Sequence, residues 1–286
     1  MRSSGSLCAS VLLFAFAAHA VAQNSPPAPP NLKKIKDDLY LIENSDVTPE
    51  ALRYWGGNIT VFVADKGVVL IDAKYARAHD DVVAKLKSIT DKPLKYVILT
   101  HNHPDHAEGA PLLEAMGAEV IISDADRDNM ARSANAAWLP GLTFAGQARL
   151  FLGGKELQLY QFRGHTRGDT VVYFPAYRLI VLGDMLTTNP LQPPTVNYAD
   201  GGSWTDWTNS IDEILKMDFD MAIPGHGPMV TKAQVLEIRN RYVAFQQRIR
   251  ALNRAHKSPE EIAAVLKQEF NWSQPNNLPG FLSELR

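Results

Sequence analysis

Thr100-His101-Asn102-His103-Pro104-Asp105-His106 follows directly on the apolar run Tyr96-Val97-Ile98-Leu99. The run is short and bounded by polar residues, so it reads as a buried strand that empties into a loop. A loop at the end of a core strand is where ligands bind in α/β folds. Three imidazoles and a carboxylate lie between His101 and His106. That donor set suits Zn²⁺, with Fe and Mn as competitors. A lone histidine would be read as a satisfied core or surface residue; this density of donors is read as a metal site.

On either side of the stretch the chain alternates strand and helix signals. Asp38–Glu43, Ile59–Ala64 and Gly67–Asp72 read as strands, the last two joined by a turn at Asp65-Lys66-Gly67. Asp72 ends a fully apolar run and is either a solvated strand end or a group that anchors the metal loop. His79–Ile89 has helical spacing, Ala107–Met116 reads as one helix closed by Gly117, and Glu119–Ile122 as the next strand. Residues 138–154 read as irregular, a flap or a connection. Leu157–Phe162 alternates again and leads to Gly164-His165-Thr166-Arg167-Gly168-Asp169. Two further strands end at Gly183-Asp184, and a short one, Met221–Pro224, ends at Gly225-His226-Gly227. The Pro- and Gly-rich segment 185–202 is long enough to predict a substrate-facing role. Lys232–Asn253 reads as a long amphipathic helix, and the capping box at Ser258 opens a last one to about Phe270.

Length and composition fit this picture. The chain has 286 residues, 45% apolar and 21% charged, with a formal net charge of −2. That balance predicts a globular domain with a sizeable core and no nucleic-acid partner. Arg2 and the apolar run Leu7–Ala18, followed by Ala-x-Ala cleavage patterns, read as a signal peptide over residues 1–22. Residues 23–36 read as a flexible lead-in, and 37–286 as a single domain. The protein is thus expected to be exported, periplasmic or secreted, without stable membrane insertion. The one cysteine, Cys8, lies in that leader, so any metal must be held by histidine and carboxylate.

His101, His103, Asp105, His106, His165, Asp184 and His226 each lie just past the end of an apolar strand. Alternate residues of an extended loop point the same way, so His101 and His103 can grip one ion while Asp105 and His106 reach a second. A zinc ion takes four ligands, so seven protein groups suit two ions about 3.5–4 Å apart that share a carboxylate and a water-derived bridge.

His-Asn-His-Pro-Asp-His, Gly-His-Thr-Arg-Gly-Asp, Leu-Gly-Asp-Met and Pro-Gly-His-Gly, in this order, resemble the motifs of the metallo-β-lactamase-fold superfamily. Asp72 matches the first motif, and the resemblance spans residues 57–228. It implies an αββα sandwich, two mixed sheets with helices outside and the metal site along one edge. It also implies that His101, His103 and His165 bind one zinc, Asp105, His106 and His226 a second, and that Asp184 bridges them. The implied activity is hydrolysis by a metal-bridging hydroxide, with Asp105 orienting the nucleophile and moving its proton.

The substrate is less constrained, because many chemistries share such a site. Asp184 stands where zinc lactamases of this family usually carry Cys or Ser, as in glyoxalase II, lactonases and phosphodiesterases. Thr187 stands where many lactamases have a lysine for the drug carboxylate. A lactone, ester or thioester is therefore placed ahead of a β-lactam, and a phosphodiester behind both. The alternative from another class is a persulfide dioxygenase-like enzyme with one iron.

Overall fold

Most strands of this chain are apolar on both faces, which calls for a covering layer on each side. The computed structural model describes residues 26–133, 137–188, 195–272 and 277–286. Residues 1–22, read from the sequence as a signal peptide, lie outside the described residues. Seven strands form one sheet in chain order: Asn31–Lys36 (β1), Leu39–Glu43 (β2), Ile59–Ala64 (β3), Gly67–Ile71 (β4), Leu94–Ile98 (β5), Glu119–Ser123 (β6) and Leu142–Phe144 (β7). Pairing is antiparallel from β1 to β4 and parallel from β4 to β7. The second sheet contains Gln147–Leu152 (β8), Lys155–Phe162 (β9), Asp169–Phe174 (β10), Leu179–Thr187 (β11), Met221–His226 (β12) and Val230–Thr231 (β13). Only β11 and β12 are parallel in it, so both sheets are mixed.

The period of two decides which side chain joins which layer. Leu41, Phe62, Val69 and Ile98 of the first sheet meet Leu159, Val172, Phe174 and Val181 of the second. Their neighbours Ile42, Val61, Val68 and Val97 turn outward, against His79–Ile89 (α2) and Ala110–Glu114 (α4). Val171, Ile180 and Leu182 turn outward from the other sheet. They meet Trp204–Lys216 (α6), Lys232–Arg254 (α7), Pro259–Phe270 (α8) and Leu278–Glu284 (α9). Trp204 and Trp207, read from the sequence as a helical stripe, are fully buried there. The architecture is the αββα sandwich.

Several boundaries differ from the sequence reading. Asn31–Lys36 is not lead-in but the edge strand β1, antiparallel to β2. Its lysines mask the alternation, and lysine is a residue that keeps an edge strand from pairing further. Residues 138–154 are not a flap: β7 closes the first sheet, and β8 and β9 form a hairpin whose turn is Gly153-Gly154. The helix expected after the histidine loop is two short ones, Pro104–Ala107 (α3) and α4. The break is at Gly109, whose N–H donates to Lys74 O at 3.0 Å. Among the described residues, Pro49–Trp55 (α1) and Asp124–Arg132 (α5) complete the α-helices. Among the described residues no helix is long and apolar enough to cross a membrane.

Candidate metal centre

The parallel pairs β4/β5 and β11/β12 run to one edge of the sandwich, and all seven predicted donors gather at that edge, five on loops or the short α3 and two, Asp184 and His226, within strands. Asp72 follows β4, His101–His106 follow β5, and His165 lies between β9 and β10. Asp184 lies within β11, and His226 ends β12. The two sheets are tied at this edge by Asn58. It donates from its backbone to Gly225 O (2.7 Å) and from its side chain to Pro224 O and Gly227 O (both 2.9 Å), bracketing His226. Gly225 must be glycine, since a Cβ there would fall on Asp184 Oδ1.

Hydrogen-bond partners fix how the first three imidazoles point. His101 Nδ1 lies 3.0 Å from Thr100 Oγ1, whose own hydrogen goes to Asp72 Oδ2 at 2.9 Å. The hydroxyl can then only accept from the ring, so the hydrogen is on Nδ1 and the lone pair on Nε2. His165 has the same tautomer, with Nδ1 2.6 Å from Thr195 O. His103 is turned round: Nε2 lies 3.0 Å from Asp200 Oδ2, which can only accept, so Nδ1 carries the lone pair. Asn197 Nδ2 is 2.7 Å from His103 Nε2, and both nitrogens serve as donors to that Asp200 oxygen. His103 Nδ1 is consequently 3.1 Å from His101 Nε2 and 2.8 Å from His165 Nε2.

The second group is built around His106. Its Nδ1 meets Asp72 Oδ2 at 2.8 Å, which turns Nε2 toward His226 Nε2 (3.2 Å) and Asp105 Oδ2 (3.6 Å). His226 Nε2 is 3.1 Å from Asp105 Oδ2. Asp184 stands between the groups. Its Oδ1 is 3.3 Å from His106 Nε2 and 3.4 Å from His226 Nε2, and its Oδ2 is 3.7 Å from His165 Nε2. His101, His103 and His165 present donor atoms within 4.8 Å of one another, and so do Asp105, His106 and His226. His101 and His106, expected from the sequence to reach different ions, also meet with Asp184, their ring centroids 4.3 Å apart.

This arrangement fits cations. Three imidazole lone pairs aimed at one another have nothing to accept, and the buried Asp184 Oδ1 has no hydrogen-bond partner. Neutral imidazole and carboxylate are zinc donors. The protonation states agree with it. Burial, reinforced by the neighbouring imidazoles, holds the His101 ring far below the usual histidine range, and burial brings His165 down to about 4. Burial also opposes charge on His106, but Asp105, Asp184 and Asp72 together outweigh it and raise its pKa well above the ordinary value. Asp105 is lowered to about 2, because His106 and His226 overcome the effect of burial.

Asp200, Asn197 and Thr195 were not singled out from the sequence, although they lie in or beside the segment read as substrate-facing. No motif marks them; they are found because the loop from 195 to 202 folds back behind His103 and His165. A cleft of about 720 Å³ opens beside His103, with Pro104, Ala107, Met130 and Trp138 giving it apolar walls and Asn102 and Asp200 polar ones.

The model of the metallo-β-lactamase superfamily matches residues 52–226. The chain is 25% identical over 250 residues to a metallo-β-lactamase type 2 from Elizabethkingia meningoseptica, covering 82% of this chain and 93% of that one. It is 27% identical over 167 residues to the 2,4-dinitroanisole O-demethylase subunit alpha of Nocardioides sp. (strain JS1661), covering 57% of this chain and 50% of that relative. This chain therefore spans half the length of the Nocardioides protein. The solved metallo-β-lactamase from Pontibacter korlensis superposes with a TM-score of 0.64 at 21% identity, over 74% of this chain and 99% of that one. With the matched segment running from the helix before Gly56 to the histidine that ends β12, the chain belongs to the metallo-β-lactamase superfamily.

Proposed function

We propose that this metal-dependent hydrolase works with two divalent cations, zinc by the chemistry of its donors, on a small carbonyl substrate. The observation that carries the reading is Asp184, which turns one carboxylate oxygen to each of two donor groups. His101, His103 and His165 would hold one cation, Asp105, His106 and His226 the other, with Asp184 between them. Such a pair, when bound, supplies hydroxide at neutral pH and a Lewis acid for the carbonyl.

The protein's own part is orientation and proton movement. Asp72, Asp200 and Thr195 O hold the rings of His106, His103 and His165. Asp105, ionised far below neutrality, turns Oδ2 to His106 and His226. A carboxylate so held can orient a water, accept its proton and pass it to the leaving group.

A lactone, ester or thioester is favoured over a β-lactam, because Asp184 and Thr187 stand where family lactamases have other residues. The name of one relative, a metallo-β-lactamase, supports metal-assisted cleavage, and that of another, an O-demethylase, leaves the bond open. We also propose export, on the leader-like residues 1–22.

The test is a panel of nitrocefin, an acyl-homoserine lactone, a thioester and bis-nitrophenyl phosphate with zinc-loaded protein, alongside metal analysis. Two cations per chain and a preference for lactone or thioester are expected. One iron per chain with oxygen uptake on persulfide would favour the dioxygenase reading, and no turnover of any acyl substrate would overturn the hydrolase proposed here.

A further inference from the structure

The family match ends at His226, and α7, α8 and α9 lie beyond it. All three cover the outer face of the second sheet, but α9 also grips the segment 195–205 at three points. With its amide turned to suit both groups, Asn277 meets the backbone O and N of Val196 at 3.1 and 3.2 Å. Gly280 lies flat against the ring of Tyr198, where any Cβ would collide with it. Glu284 accepts from Trp204 N (2.8 Å), Thr205 N (3.0 Å) and Ser203 Oγ (3.2 Å), closing the first turn of α6. Leu278 and Phe281 anchor the helix in the core, Phe281 edge-on to Trp204 at 4.7 Å between centroids.

Other residues of the same segment, interleaved with those that α9 grips, hold two metal-group imidazoles from behind. Thr195 O takes the His165 Nδ1 hydrogen, Asn197 N donates to His165 O at 2.8 Å, and Asp200 takes the His103 Nε2 hydrogen. Ser203 N donates to Gly164 O at 2.9 Å, so the segment is stitched to the His165 loop at its far end too. The second donor group is held differently, by Asp72 after β4 and Asn58 before β3.

We propose that α9 is a positioning element for the group His101, His103 and His165. Through the segment 195–205, α9 sets the aim of His103 and His165, and hence the affinity of that group relative to the other. The inference rests on the reading that both groups hold cations, and deepens it by making one depend on α9. Asn277, Gly280 and Glu284 are positioning residues that touch no reacting atom.

The test uses the full chain, freed of metal and titrated with Zn²⁺ against a chelator and with Co²⁺, whose visible spectrum reports donor geometry. His165→Ala identifies which of the two affinities belongs to the first group. In Glu284→Ala and in Asn277→Ala that affinity is expected to fall about tenfold, as when groups that orient a ligand are lost. Its Co²⁺ spectrum should shift, and the other affinity should stay unchanged. Glu284→Gln, which keeps an acceptor oxygen at the same reach, should recover part of the loss. Leu266→Ala, a buried α8 residue, is the control: it should lower the melting temperature without changing the ratio of the two affinities. Unchanged affinities in the α9 variants, or both falling together as the protein loosens, would overturn the proposal. A wild-type chain that binds no cation would instead refute the metal reading itself.

Discussion

Asp72 Oδ2 lies 2.8 Å from His106 Nδ1, and Asp72 holds this contact from a left-handed backbone conformation, φ +70°. A non-glycine residue there costs about 1–3 kcal/mol and persists only when its surroundings impose it. Thr100 does so, donating to Asp72 from its N–H at 2.7 Å and its hydroxyl at 2.9 Å. One carboxylate thus aims His106 directly and His101 through Thr100. Asp72→Ala is expected to weaken cation binding by the second group about 10–100-fold. Chelator-competition titration measures it, and wild-type affinity for both cations in that variant would show that Asp72 only ends a strand.

Asp105→Asn keeps the size of the side chain and removes the charge that faces His106 and His226. Turnover on any substrate is expected to fall about 10²–10⁴-fold, the range for losing a positioned proton carrier. His103→Ala should be as severe, by removing a donor from the other group. The melting temperature separates loss of chemistry from loss of fold. Near-normal turnover in a folded Asp105→Asn protein would remove Asp105 from the mechanism.

Much of this was legible in the sequence because the donors are local and their residue types are chemically specific. His101 to His106 announce themselves within six residues, His165 follows an apolar strand, and Asp184 and His226 follow apolar runs whose strands the structure extends through them. The sandwich was legible only through the resemblance of the ordered motifs to the superfamily; the strand and helix signals by themselves gave alternating elements without their layers. What could not be read is what depends on distant contact. Asp200 resembles any surface acid until the 195–202 segment brings it to His103, and Glu284 resembles any surface glutamate until α9 docks on α6. The strand β1 was missed for the opposite reason: three lysines on an edge strand erase the alternation that identifies the others.

Acid should strip the two donor groups in a definite order. His101 and His165 are held below the usual histidine range, His165 at about 4, so these two nitrogens keep their lone pairs in mild acid. His106 is raised by Asp105, Asp184 and Asp72, so in the metal-free protein its proton must leave before a cation binds. Binding at the second group should therefore weaken about tenfold for each pH unit below the raised His106 pKa. In metal-free protein the sign for stability is the reverse. The His106 proton stabilises the fold below the unfolded value of about 6.5, and that support is lost as pH rises through the raised value. Zinc titrations at a series of pH values, with proton release followed in buffers of different ionisation enthalpy, test the order. Equal pH slopes at the two groups would contradict it.

A buried acid pair beneath the His165 loop gives a stability prediction independent of metal. Thr166 Oγ1 lies 2.9 Å from Asp126 Oδ2 and 2.8 Å from Asp169 Oδ1. It has one hydrogen to give, so one of the two acids must itself be protonated. Burial, with each acid near other carboxylates, raises both, Asp126 to about 7 and Asp169 well above the ordinary range. A carboxyl whose folded pKa lies above its unfolded value of about 3.9 stabilises the fold below that value. This support is lost as pH rises from about 4 to about 7. Asp126→Asn supplies the missing hydrogen outright: the amide oxygen can still accept from Asn129 Nδ2, now 2.7 Å from Asp126 Oδ1, while the amide nitrogen donates to Thr166. That variant should flatten the decline and gain about 1–3 kcal/mol near pH 8. Asp169→Asn should instead destabilise, because both oxygens of Asp169 face the Thr166 N–H, at 3.2 and 3.1 Å, and an amide nitrogen there would oppose a donor. Melting temperatures of the two variants across pH 4–8 decide the matter, and equal effects would mean that the two acids do not share a proton.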